Sequence, residues 1–338
     1  MNSLELLDNL DLCIRSKVVP FIQGAPGVGK SAVVKALADK YKLKLIDIRL
    51  AQCDVTDLNG FPKLDGTKAT YLPMDTFPIE TDSIPDGYSG WLIFLDELNS
   101  ANKSLQACAY KIILDRMVGQ HKLHKNVSII CAGNREEDNA VVNQLSTALK
   151  SRMVSIQLDI DYKSWLTWAE ATNIDFRVTA YINFKGDEGL FDFDPERVNN
   201  AYCCPRTWEM VSKIIKKVND LDKYRELLIG TIGNQAHLFI EYANNASKLP
   251  SIDTIMKGLA VGENYNNGEN FMIVSNVLAN ATKITNNTEA KNVVKFLDEL
   301  GKEYAVIFYS SCYKKNPALM NMESVSKKML EYASYLRA

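Results

Sequence analysis

One eight-residue run constrains this chain more than any other: Gly24-Ala25-Pro26-Gly27-Val28-Gly29-Lys30-Ser31. It has the form G-x-x-x-x-G-K followed by Ser or Thr. Val18-Val19-Pro20-Phe21-Ile22 stands before it and reads as a short buried strand. Ala32 to Tyr41 follows with the apolar spacing of a helix. Strand, glycine-rich turn and helix N-terminus in that order make a phosphate cradle. Glycines let backbone N–H groups turn onto phosphate oxygens, and the helix end adds its partial positive charge. Lys30 is expected to reach the β- and γ-phosphates of a nucleotide, and Ser31 to ligate Mg²⁺. Gly24, Ala25, Pro26, Gly27, Val28, Gly29, Lys30, Ser31 and Ala32 are the expected nucleotide-binding residues, with a nucleoside triphosphate and Mg²⁺ as the ligands.

Further strands are expected at Leu43 to Ile48, Trp91 to Leu95, Val127 to Ala132 and Val154 to Leu158, with helical segments between them. That alternation predicts an α/β fold with a parallel sheet. Such sheets bind ligands at the carboxyl ends of their strands. At one such end the buried run Trp91 to Leu95 delivers Asp96 and Glu97. Asp96 is expected to hold the Mg²⁺ shell and Glu97 to polarise the attacking water. Val127 to Ala132 is followed by Gly133-Asn134, and the Asn134 amide can orient water without adding charge. Taken alone, an acidic pair after a strand is a helix cap and an Asn a turn residue. It is the preceding cradle that changes their meaning.

The pattern changes near residue 161. Tyr162 to Thr172, Thr207 to Val218, Leu221 to Ile232 and Ala236 to Lys248 read as helices. The stretch after Ser251 reads as mostly helical, with a polar loop at 262–268. Tyr304 to Tyr309 is aromatic and β-branched, and periodicity leaves strand and buried helix open there. Three domains are expected: 1–160 for the α/β part, 161–250 and 251–338.

The 338 residues correspond to roughly two domains at about 150 residues each. With 39 Lys+Arg against 41 Asp+Glu the net charge is −2, so no overall basic field draws the chain to nucleic acid or an anionic membrane. Seven scattered cysteines without a C-x-x-C pair make a poor disulfide framework. Cys203-Cys204 is expected to be packing, and His121-x-x-His124 lacks a third metal ligand nearby. The acidic N-terminus is unlike a signal peptide, and no apolar run is long enough to span a bilayer. A cytoplasmic location is therefore expected.

Taken together, these motifs resemble those of the AAA+ ATPases, and within them the MoxR-like, dynein-related group. Gly24 to Ser31 is similar to Walker A, Leu92 to Glu97 to Walker B, and Asn134 to sensor 1. Cys53 to Pro62 looks like the start of that group's helix-2 insert, which runs from Asp54 to Pro78 with a hairpin turn at Asp65-Gly66. Leu114 to Gly119 and Lys122 to Val127 look like the pre-sensor 1 hairpin. Gly133 to Asp138 and Leu145 to Met153 continue the likeness, and Tyr202 to Trp208 resembles the sensor 2 segment of a helical lid. The resemblance spans about residues 15–250. It implies an AAA+ core, a helical lid at 161–250 and a mostly helical C-terminal extension. It also implies Arg152 as an arginine finger acting on a neighbouring subunit and Arg206 as sensor 2, with Arg116 and Arg135 as competing finger candidates. A homo-oligomeric ring, most often a hexamer, follows from it. So does a chaperone-like role toward a client such as a protein with a von Willebrand factor A domain.

Two other readings compete with a remodelling motor. A nucleotide-controlled scaffold would have no need of Glu97. A nucleic-acid motor would have to rest on the small cluster Lys213, Lys216 and Lys217, which reads as a solvated helix face. Trp165, Trp168 and Trp208 are expected to pack in the lid core.

Overall fold

Five parallel strands build the sheet that the glycine-rich run requires, and the computed structural model describes residues 1–138, 143–196, 201–262, 265–333 and 335. The chain runs α1 (Ser3–Ser16), β1 (Val19–Gln23), α2 (Lys30–Lys40), β2 (Leu43–Arg49), α3 (Val55–Asn59), β3 (Phe61–Asp65), β4 (Lys68–Leu72) and β5 (Gly90–Asp96). It continues through α4 (Lys103–Leu114), β6 (Met117–Val118), β7 (His121–Lys122), β8 (Val127–Gly133), α5 (Thr147–Lys150) and β9 (Met153–Gln157). The main sheet has the order β2-β5-β8-β1-β9, every pair parallel.

Helices and hairpins cover both faces of this sheet, so its central strands lack the alternation of a half-exposed strand. In β5, Trp91, Ile93 and Leu95 face one core with Phe21, Ile129, Cys131 and the α4 residues Leu105, Ala109 and Ile112. Leu92 and Phe94 face the other, with Ile22, Ile130 and the helix residues Leu6, Leu10, Val34 and Leu37. The insert after α3 forms the antiparallel hairpin β3–β4, paired from Phe61–Leu72 to Asp65–Lys68. A second, short hairpin pairs Met117 with Lys122. His121 Nε2 lies 2.9 Å from Tyr71 O, joining the two hairpins.

Residues 1–160, with a short stretch at 194–196, form one compact unit. The second begins at Asp161 and is helical: α6 (Tyr162–Ala171), α7 (Phe176–Lys185), α8 (Asp187–Leu190), α9 (Pro205–Ile215), α10 (Arg225–Ile232) and α11 (Gln235–Asn244). It ends with α12 (Ile252–Met256), α13 (Asn267–Ala279), α14 (Asn287–Leu300), α15 (Lys302–Lys315) and α16 (Glu323–Glu331). Trp208 is fully buried, 5.5 Å from the Tyr181 ring and 5.2 Å from that of Phe239, and its Nε1 donates to Gly189 O at 3.0 Å. The Trp165 and Trp168 rings lie 6.1 Å apart on α6. Cys203 and Cys204 are both buried.

One reading left open by periodicity is settled here, and other expectations are corrected. Tyr304 to Tyr309 is helix, lying inside α15, where Tyr304, Ala305, Phe308 and Tyr309 are all buried. Its buried positions share one face, but apolar Val306 and Ile307 stand on the half-buried side, so the run shows no amphipathic period in sequence. The helix expected from Leu221 begins at Arg225, after a 3₁₀ turn at Asp222–Tyr224. Of the polar loop at 262–268, residues 263 and 264 lie outside the described residues. Asn267 and Gly268 already belong to α13, capped by the Asn266 side chain. The helix α7 was not expected from the sequence. It packs against α13, so residues on either side of position 250 share one packed interface.

The α1–α2 contact carries a charge network. Asp11 accepts from Lys40 Nζ at 2.8 Å and Tyr41 Oη at 2.5 Å, and pairs with Arg15 at 2.8 Å. The hydrogen bonds from Lys40 and Tyr41 lower the Asp11 pKa to about 2, below its ordinary 3.8. A lowered folded-state pKa stabilises the fold above the unfolded value and loses that contribution as protons return. The Asp11 contribution should be complete above about pH 4 and vanish as the pH falls toward 2. Asp11→Asn should flatten that acid limb in urea titrations run at stepped pH. An unchanged limb would count against the network.

Candidate nucleotide site

The register of the main sheet brings three loops to one edge. Gln23 at the end of β1 pairs with Gly133 at the end of β8, and Leu95 near the end of β5 pairs with Cys131. The P-loop, the Asp96–Glu97 pair and Asn134 therefore leave the sheet side by side. This is the edge at which parallel α/β sheets receive ligands.

Within the loop, Gly29 is the N-cap of α2 at φ +107, a conformation that a residue with a Cβ adopts only under strain. Among the described residues no side chain caps that helix end, and an uncapped N-terminus presents N–H groups to an anion. Lys30 is the first residue of α2 and its side chain folds back over the loop. Its Nζ donates to Gly24 O at 2.6 Å, Ala25 O at 3.1 Å and Asn134 Oδ1 at 3.2 Å. A long cationic side chain held at 9% exposure is costly unless its donors are met. Here part of that demand is met by the strand-end amide of Asn134.

On the other side, Ser31 Oγ donates to Asp96 Oδ2 at 3.3 Å. The other carboxylate oxygen accepts from Glu97 N at 2.9 Å. Glu97 adopts φ +58, the left-handed region, at about 1–2 kcal/mol for a residue with a Cβ. Its carbonyl accepts from Ser100 N and Ala101 N at 2.9 and 3.2 Å, so the strand turns sharply just after Asp96. Desolvation raises the pKa of the neighbouring Asp47, and the Asp96 charge raises it further. That edge thus carries concentrated negative charge, which suits a cation.

The structure brings Lys30 against Asn134 and Ser31 against Asp96, with Glu97 next to Asp96 in the chain. The remaining predicted residues have other surroundings. Arg152 follows α5 and is exposed. It donates to Ala148 O at 3.2 Å and Ser151 Oγ at 3.4 Å, and its guanidinium lies 5.9 Å from the Tyr110 ring centroid. It has no carboxylate partner among the described residues. The competing arginines are committed locally. Arg116 donates to Val127 O and is half-buried, and that burial lowers its pKa. Arg135 pairs with Asp138 at 3.4 Å and Glu137 at 3.6 Å. Arg206 is exposed on the first turn of α9, in the second unit.

Sequence reasoning missed Asn99, three residues after Asp96. It is buried and its Nδ2 donates to Asn134 O at 2.7 Å. The only sequence signal was an Asn just beyond the acidic pair, where a turn residue is ordinary. Tyr110, beneath Arg152, was also missed. Elsewhere, His124 Nδ1 accepts from Asn126 N at 3.1 Å and its ring packs against Trp91, while Lys213 pairs with Glu209 at 2.5 Å.

Residues 21–159 match the family model described as ATPase family associated with various cellular activities (AAA). The matched span reaches from within β1 past the end of β9 and includes Lys30, Ser31, Asp96, Glu97 and Asn134. No curated protein sequence matches the chain. Two solved structures are similar at low identity. A "putative ATPase" of Cytophaga hutchinsonii is 16% identical, with 73% of each chain covered and a TM-score of 0.38. A point mutant of Thermotoga maritima RuvB is 14% identical, covering 95% of this chain and 81% of its own, with a TM-score of 0.35. Among the described residues no helix is long and apolar enough to cross a membrane.

The arginine environments predict different consequences for folding. Arg116→Ala removes a partly buried, charge-assisted hydrogen bond and should cost about 1–3 kcal/mol in denaturant unfolding. Arg152→Ala removes an exposed side chain and should stay within about 0.5 kcal/mol of wild type. Equal losses in the two variants would contradict the described environments.

Proposed function

We propose, from the AAA ATPase domain at residues 21–159, that this chain is a MoxR-like AAA+ ATPase. It hydrolyses ATP in a homo-oligomeric ring, a hexamer in our reading, and uses the cycle to remodel or mature a partner protein. The observation that carries the reading is the meeting of Lys30, Ser31, Asp96 and Asn134 at one sheet edge, beside an uncapped helix N-terminus. The residues fit a nucleoside triphosphate with its metal: a buried ammonium for the phosphates, and a hydroxyl facing a carboxylate for the cation.

In this mechanism the backbone amides of Gly27 to Ser31, with Lys30, hold the β- and γ-phosphates. Ser31 and Asp96 would hold Mg²⁺, which when bound neutralises charge on the β- and γ-oxygens. Glu97 accepts a proton from water as the water oxygen bonds to the γ-phosphorus and the bond from that phosphorus to the β-bridging oxygen breaks. The products are ADP and phosphate. Asn134 orients that water and senses the γ-phosphate through Lys30. Arg152, exposed and without a carboxylate partner among the described residues, serves the site of a neighbouring subunit. Arg206 serves its own subunit's site from the helical lid at 161–250. Loss of the γ-phosphate contacts then reorients the lid and the β3–β4 insert, and the client follows. A protein with a von Willebrand factor A domain is our candidate client, and the cytoplasm the compartment.

ATPase rate across a protein dilution series tests this reading. Specific activity should rise with concentration as subunits complete one another's sites. Glu97→Gln should lower kcat by about 10²-fold or more, and Arg152→Ala by about 10³-fold. Added to wild-type protein, Arg152→Ala subunits should depress the rate of the mixture. Absence of hydrolysis at every concentration would favour the nucleotide-controlled scaffold, and concentration-independent activity would remove the shared site.

A further inference from the structure

The turn after Glu97 is stitched to the Asn134 strand on both sides of one glycine. Leu98 N donates to Ala132 O at 2.9 Å and Asn99 Nδ2 donates to Asn134 O at 2.7 Å. Between them, Asn99 Oδ1 occupies the space where Gly133 lacks a side chain. A Cβ built on Gly133 would lie 2.1 Å from that oxygen. The Asn99 carbonyl accepts from Asn143 N at 2.6 Å, and Asn143 Nδ2 donates to Ala101 O at 3.0 Å. The segment that follows Asn143 enters the core through Leu145 and Leu149 and ends at Arg152. Asn99 is thus 3% exposed and joins three parts of the site.

Its two amide ends are treated unequally. Nδ2 is paired with Asn134 O, whereas Oδ1 is buried with no hydrogen-bond partner among the described residues. A bare buried acceptor is destabilising. An apolar side chain of that shape would fill the same space without leaving one. What the amide adds is therefore the Nδ2 donor, directed at the backbone of the residue whose side chain meets Lys30 Nζ.

We propose that Asn99 is a positioning residue for ATP hydrolysis: it fixes the Asn134 backbone so that the Asn134 amide is held at Lys30 and the γ-phosphate. It acts through Asn134 and touches no substrate. The inference rests on the hydrolase reading above and assigns a further residue to the same site. A misplaced orienting group costs turnover more than binding, because the phosphates are held chiefly by the P-loop.

The test uses the full chain, with ATP turnover and binding of a fluorescent ADP analogue measured side by side. Asn99→Asp keeps the size and the packing on Gly133 but faces Asn134 O with an oxygen. It should lower kcat by about 10-fold or more and leave the affinity for the ADP analogue within about threefold. In an Asn134→Ala background the same change should lower kcat by less than about twofold, because no side chain remains to be misplaced. Gly133→Ala supplies an independent route. The added Cβ displaces Asn99 and should reproduce the turnover defect, and combination with Asn99→Ala should recover the thermal midpoint but not kcat. Wild-type turnover in Asn99→Asp, or a full further loss on top of Asn134→Ala, overturns the positioning role. If Asn99→Asp does not fold, the Gly133→Ala pair decides by the same criteria. A wild-type chain that hydrolyses no ATP overturns the hydrolase reading itself, and this inference with it.

Discussion

The pairing of β1 with β8 is the constraint on which the candidate site depends. Three parallel hydrogen-bonded registers, Phe21 with Cys131, Ile22 with Ala132 and Gln23 with Gly133, set the two strand ends level. Lys30 leaves from the loop after one strand and Asn134 from the end of the other, and they meet at 3.2 Å. A shift of one residue would turn every side chain of the strand to the opposite face. It would also break the Lys30–Asn134 contact. Burial on both faces resists such slippage, since Ile22 and Ala132 pack into one core and Phe21 and Cys131 into the other.

The same edge concentrates opposite charges a few ångströms apart. Lys30 is enclosed by loop carbonyls and an amide, while Asp96 holds Ser31 on one oxygen and the Glu97 backbone on the other. These contacts pre-form the geometry at a cost in backbone strain, most visibly at Glu97. Strain of this kind persists only where the surroundings over-determine it. The surroundings here are the hydrogen bonds of the turn from Leu98 to Ala101 and the buried amide of Asn99.

Beyond Asp161 different physics applies. The second unit has no strand among its described residues, and its stability rests on helix packing around aromatic side chains such as Trp208, Tyr181 and Phe239. The packing of α7 on α13 makes residues on either side of position 250 partners in one interface. Any motion of this unit therefore involves its later helices as well as its earlier ones.

The P-loop, the buried strands and the acidic pair were legible in the sequence because their chemistry is local. A phosphate cradle needs contiguous glycines, a lysine and a helix start, and a strand covered on both faces needs an uninterrupted apolar run. The hairpin in the insert was legible for the same reason, through Asp65-Gly66. Less was legible where burial removes periodicity. The helix α7 is largely enclosed, and in the run from Tyr304 to Tyr309 the half-buried positions Val306 and Ile307 are apolar too, so in neither does apolar spacing mark one face. Contacts between distant residues were not legible at all. The family likeness put Arg152 ahead of Arg116 and Arg135 as the finger, but the order of residues carries nothing of their burial and partners, which depend on Val127, Asp138 and Tyr110. Asn99 is the sharpest case. By itself the sequence determined the set of groups able to handle a nucleotide and the sheet that carries them. Only the tertiary structure decided which of those groups touch, because strand register, rather than spacing along the chain, brings Asn99, Asn134 and Lys30 together.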